Sequence, residues 1–179
     1  VKEACGETRF DIEAAFSQGL PNTPMQHSRI KVVSGNFVTA RPMGIIDGVD
    51  YLHTGVVRKV DAESIQDLLS RGNIVLVSPT GFSPTGEAFN LTTEDVATAI
   101  AVAIHADKLI LSVGVDGVRV RGEKQQDLTA QQAQALIQSK QVDDEDVYNL
   151  GYALRAIKGG VDRVHICLLY TSPSPRDLS

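Results

Sequence analysis

Residues 74–113 read IVLVSPTGFSPTGEAFNLTTEDVATAIAVAIHADKLILSV, and their pattern decides the fold class. Ile74–Val77 and Leu109–Val113 are continuous apolar runs, as expected of strands buried on both faces of a parallel sheet. Between them Val96, Ala97, Ile100, Ala101 and Ile104 recur at helical spacing, which predicts a helix over 93–105 capped by Thr92. Strand, helix, strand predicts a right-handed βαβ unit. In such sheets ligands bind beyond the carboxyl ends of the strands. Here that position falls on the loop Ser78–Glu87, which carries Ser-Pro-Thr-Gly twice, and on Asn90 and Thr92, which lead into the helix. Asn90, Thr92 and the free amides of the first helical turn can receive a carboxylate or phosphate. An ordinary loop and a capped helix explain the same spacing.

Toward the amino terminus, residues 2–18 read as an amphipathic helix. Phe10, Ile12 and Phe16 with Ala4 and Ala15 form one broad apolar face, and Gly19-Leu20-Pro21-Asn22 stops it. Ile30–Ser34, Phe37–Arg41, Val49–His53 and Val56–Val60 are short β-rich runs separated by Gly-containing turns, which predicts antiparallel hairpins. Asp61 caps a helix carrying Ile65, Leu68 and Leu69, and Gly72 terminates it.

Toward the carboxyl terminus, Thr129 and Gln132 form a capping-box pattern before a helix through Ala133, Leu136 and Ile137. Gln141–Asp146 reads as an acidic, exposed connection. A further helix carries Val147, Leu150, Leu154 and Ile157 and stops at Gly159-Gly160, and Val164–Ile166 begins another strand. Arg119, Arg121 and Lys124 read as a solvated hairpin after a strand, with anion binding as the alternative. The fold class is α/β with a β-hairpin region near the start.

Composition narrows the function classes. The chain has 179 residues, net charge −5 and 42% hydrophobic residues, enough for a core. A sequence pI of about 5.3 argues against nucleic-acid binding as the main activity. No apolar run approaches a membrane span and no secretory leader is visible, so a cytoplasmic location is expected. Cys5 and Cys167 cannot build a disulfide framework. His27, His53, His105 and His165 lack metal-ligand spacing, and no metal site is expected. Glu94 and Asp95 sit in a first helical turn, where they complement the dipole and diverge rather than converge as an acid–base pair. Gly-rich phosphate loops and the Gly-x-Ser-x-Gly elbow are absent from the sequence, and no catalytic residue is assigned.

The stretch PTGEAFNLTTEDVATAIAVAIHADKLILSVGVDGV resembles the amino acid kinase family, in the region of its Asn-x-Asn-x-Asp motif. Over residues 1–166 the chain is similar to the bacterial amino-acid N-acetyltransferases, the N-acetylglutamate synthases, through NTPMQHSRIKVVSGNFVTARPMGIIDGVDYLHTGVVRKVD and GEAFNLTTEDVA. The resemblance implies a three-layer α/β sandwich of the amino acid kinase type, mainly parallel with a β-hairpin region and truncated at both ends. It implies that residues 1–166 are a partial kinase-like domain that senses L-arginine, and that an absent second domain acetylates the amine of L-glutamate with acetyl-CoA. No cofactor is expected in this segment, and acetyl-CoA is the co-substrate of the absent domain. A homo-oligomer is implied, with L-arginine as allosteric inhibitor and neither nucleic acid nor membrane as partner.

The resemblance also marks a candidate ligand pocket: Gly81, Asn90, Thr92, Glu94 and Ser112. Asn90 matches the kinase Asn that holds the substrate carboxylate. Thr92 stands where the second Asn is expected, Glu94 where the organising Asp is expected, and Val113 where an Asp near the nucleotide is expected. Asn149 stands where kinases place a Lys that steadies the phosphoryl group. Without that cation, charge developing in phosphoryl transfer goes unneutralised, so an active kinase is not expected. The alternative is an acetylglutamate kinase that phosphorylates N-acetylglutamate with ATP. The final segment, CLLYTSPSPRDLS at 167–179, resembles a translated sequencing-library adapter and is read as an adapter-derived or disordered tail.

Overall fold

The structure, a computed structural model, describes residues 1–18, 30–114, 117–120 and 122–168. It divides into two compact units, one spanning 1–104 and the other beginning at His105.

In the first unit the chain runs α1 (Lys2–Ser17), β1 (Val32–Ser34), β2 (Val38–Pro42), β3 (Ile45–Ile46), β4 (Val49–Asp50), β5 (Gly55–Val60), α2 (Ala62–Ser70), β6 (Ile74–Leu76), β7 (Thr80–Phe82), β8 (Ala88–Asn90) and α3 (Thr93–Ala103). A four-stranded sheet has the order β5-β2-β7-β8. β2 is antiparallel to β5, with a register shift between Thr39 and Ala40, and β7 is antiparallel to β8. Thr39 meets Phe82 in a parallel pairing. Beneath this sheet, Val38, Ala40, Phe89, Leu91 and Val96 form a buried cluster, with Val57, Val77 and Ile100 packed against it. Alternation explains it: Val38 and Ala40, and Phe89 and Leu91, are two residues apart and so share a sheet face.

Three sequence expectations are corrected here. First, β1 does not form a hairpin with β2; it pairs in parallel with β6, Val32 opposite Ile74. The Phe37 ring occupies the space over Gly35, where a Cβ would lie 2.8 Å from it, and the connection does not close as a tight turn. Second, Val49–His53 is not one strand. β3 and β4 form a hairpin whose turn residues Asp47 and Gly48 both have positive φ, 49° and 80°, as a two-residue turn requires. Leu52 then adopts φ 47° with its N–H donating to Asp50 Oδ1, which ends β4. Third, 78–87 is not all loop: Thr80–Phe82 forms β7, which pairs antiparallel with β8 just beyond the segment.

The apolar runs meet other partners than expected. The Ile74 strand pairs with β1, and the Leu109 strand pairs with a strand near the carboxyl end. α1 forms as expected, but none of its residues is buried, and Phe10 is 65% exposed. Its expected stop at 19–22, and His27, lie outside the described residues.

α2 starts where the sequence predicts. The Asp61 carboxylate accepts from the Ser64 hydroxyl at 2.7 Å and from the Ser64 N–H at 3.2 Å. These bonds, the hydroxyl first, hold its pKa below the ordinary carboxylate value. The folded value is depressed, so the cap is fully present above the ordinary value and is lost as pH falls through the lowered one. An NMR titration of the Ser64 amide should show a midpoint below that of aspartate in the denatured chain; a midpoint at or above it contradicts the capping account.

In the second unit the elements are β9 (Lys108–Val113), β10 (Arg119–Val120), β11 (Glu123–Lys124), α4 (Ala130–Ser139), α5 (Asp144–Lys158) and β12 (Arg163–Leu168). β12 pairs in parallel with β9, Val164 opposite Leu109. It continues two residues past Ile166, pairing Cys167 with Ser112 and Leu168 with Val113. β10 and β11 form the expected hairpin; Arg121 lies outside the described residues. Val118, Ala133, Leu150 and Leu154 form the core between the hairpin and α4 and α5. The connection 141–146 is not all exposed. α5 begins at Asp144, and Asp146 is buried, its Oδ2 accepting the Arg119 N–H at 3.0 Å.

The α4 capping box is present in full: Thr129 accepts from the Gln132 N–H at 3.2 Å, and the Gln132 side chain accepts from the Thr129 N–H at 2.8 Å. Thr129→Ala should lower stability by about 1 kcal/mol, read as a shifted urea midpoint at unchanged slope.

Candidate functional site

The residues singled out from the sequence fall in two places. Gly81, Asn90, Thr92 and Glu94 lie in the first unit, at the β7–β8 hairpin and the start of α3. Ser112 lies in the second unit on β9, exposed, its Oγ 3.9 Å from Cys167 Sγ.

The hairpin is built for a defined shape. Ser83 N–H donates to the Glu87 carbonyl at 2.8 Å, Gly86 N–H donates to the Ser83 carbonyl at 2.9 Å, and Glu87 N–H donates to Ser83 Oγ at 3.0 Å. Gly86, at φ +84°, takes the left-handed position of that turn. This closes the two strands so that Thr80 lies opposite Asn90 and Gly81 opposite Phe89.

Asn90 is held on both sides. It pairs with Thr80 of β7 and forms a parallel bridge with Thr54, and its N–H donates to the His53 carbonyl at 2.7 Å. Its neighbours Phe89 and Leu91 are buried, so alternation aims the half-buried Asn90 side chain away from the core. Leu91 N–H donates to the Pro79 carbonyl at 3.0 Å, and Thr92 follows at once as the cap of α3. Thr92 Oγ1 accepts the Asp95 N–H at 3.3 Å.

The two carboxylates of that first turn part company. Glu94 is half-buried. The Asp95 Oδ2 accepts the Val57 N–H at 3.2 Å and ties the start of α3 to β5. Asp95 was read from the sequence as dipole complement alone; the strand it reaches is 38 residues away in the chain and leaves no local signal. On the apolar face of α3, Val96 and Ala101 are buried, as is Thr98. The helix ends at Ala103, and His105 takes φ 53° beyond it.

Beside Asn90, His53 Nδ1 lies 3.7 Å from Glu87 Oε1, both side chains well exposed. In the second unit, Asn149 is buried on α5 and its Nδ2 has no hydrogen-bond partner among the described residues. A neutral amide there supplies no positive charge. A groove of about 790 Å³ in the same unit is lined by Val118, Lys124, Thr129, Leu150, Leu154 and His165, and none of the five residues singled out from the sequence lines it. Among the described residues no group of three or more His, Cys, Asp or Glu can hold a metal ion, and no helix is long and apolar enough to cross a membrane.

A sequence profile described as the amino acid kinase family matches residues 9–167. An amino-acid acetyltransferase of Ralstonia nicotianae is 57% identical over 166 residues, covering 92% of this chain and 37% of the relative. One from Aeromonas salmonicida is 46% identical over 171 residues, covering 93% of this chain and 39% of the relative. The chain thus spans less than two fifths of the length of these relatives. Among solved structures, N-acetylglutamate synthase from Neisseria gonorrhoeae complexed with coenzyme A and L-arginine is 36% identical, with a TM-score of 0.82, over 93% of this chain and 39% of that one.

Proposed function

This chain belongs to the amino acid kinase family, and on that premise we propose that it is the kinase-like, arginine-sensing part of an N-acetylglutamate synthase. The observation that carries this is the match along 93% of the chain to a synthase solved with coenzyme A and L-arginine. In the proposed protein, acetyl passes from acetyl-CoA to the amine of L-glutamate on a second domain. L-arginine binds the kinase-like part and inhibits, and the protein is a homo-oligomer of the cytoplasm.

The departures from the kinase pattern support a regulatory rather than a phosphoryl-transferring role. Thr92 and Val113 replace groups that the kinases use, and Asn149 offers an amide where they carry a cation. Phosphoryl transfer needs positive charge against the moving phosphoryl group. The candidate ligand residues remain Gly81, Asn90, Thr92, Glu94 and Ser112, with Asn90 proposed to meet a ligand carboxylate through its side-chain amide.

The intact protein that carries this chain should acetylate L-glutamate in an acetyl-CoA-dependent assay, and L-arginine should reduce that rate. ATP-dependent phosphorylation of N-acetyl-L-glutamate, without acetyl-CoA-dependent turnover, overturns the proposal in favour of an acetylglutamate kinase.

A further inference from the structure

We draw no further inference here: the strongest candidate, the exposed apolar patch of Ile45, Val49 and Leu52 at the β3–β4 hairpin of the first unit, carries nothing because the structure does not show what covers it.

Discussion

Replacing Phe89 with alanine is expected to lower stability by about 3–5 kcal/mol, the largest loss from one side chain in the first unit. Phe89 is 3% exposed and sits at the centre of the cluster of Val38, Ala40, Leu91 and Val96. The cost of such a truncation depends on how far the surroundings collapse into the cavity. Here they are poorly able to. On one side is Gly55, already so near that a methyl would touch Phe89 Cβ at 2.8 Å. On the other is Gly81, its register partner in the β7–β8 pair. Neither glycine has a side chain to swing into the space, and both backbones are fixed in the ladder. The loss should fall toward the upper end of the range. Phe89→Leu keeps most of the volume and should cost about 1–2 kcal/mol. Urea denaturation with an unchanged slope gives both values. A Phe89→Ala loss no larger than that of Phe89→Leu would show that the strands close over the gap.

What the sequence makes legible here is local. The caps Asp61, Thr92 and Thr129 stand where they were expected, because a cap needs only a side-chain oxygen and an amide two or three residues on. The helices of 62–70, 93–103, 130–139 and 144–158 follow from apolar spacing for the same reason. Strand pairing is not local. Val32–Ser34 is β-like in itself, but no feature of those three residues says that the partner is Ile74–Leu76, some forty positions later. The hairpin at 80–90 was hidden because its strands are three residues each and its turn carries Pro84 and Gly86, which read as loop. The candidate site divides in the same way. Asn90, Thr92 and Glu94 stand out by resemblance to a motif. Gly81 is marked by the same resemblance, but Gly55 leaves no such mark, since a glycine required by the close approach of a neighbouring strand looks in sequence like a glycine required by a turn. Asp95 is the clearest case: beside Glu94 it is one more acid in a first turn, and only the register of β5 gives it Val57 as a partner.

Asp146→Ala should produce the second large effect, a loss of about 2–3 kcal/mol, and it tests the same distinction in the second unit. Four acids stand in a row at 143–146, and composition offers no reason to single out one. Helical geometry does: Asp146 is 5% exposed on the inner side of α5, while Asp143, Asp144 and Glu145 face solvent. Its Oδ2 accepts the Arg119 N–H at 3.0 Å, next to buried Val118, and so joins the β10–β11 hairpin to the first turn of α5. Alanine removes a charged acceptor and leaves a partly buried backbone donor without its partner. Asp146→Asn keeps an oxygen of the same reach and should retain about half of the stability, since a neutral acceptor is roughly half as strong. Asp144→Ala loses only the interaction with the helix dipole, about 0.3–1 kcal/mol. Hydrogen exchange at the Arg119 amide separates the causes: protection should fall in Asp146→Ala and hold in Asp144→Ala. Equal losses in the two alanine variants, with Arg119 protected in both, would mean that the dipole accounts for the whole acidic run and that the buried bond adds nothing.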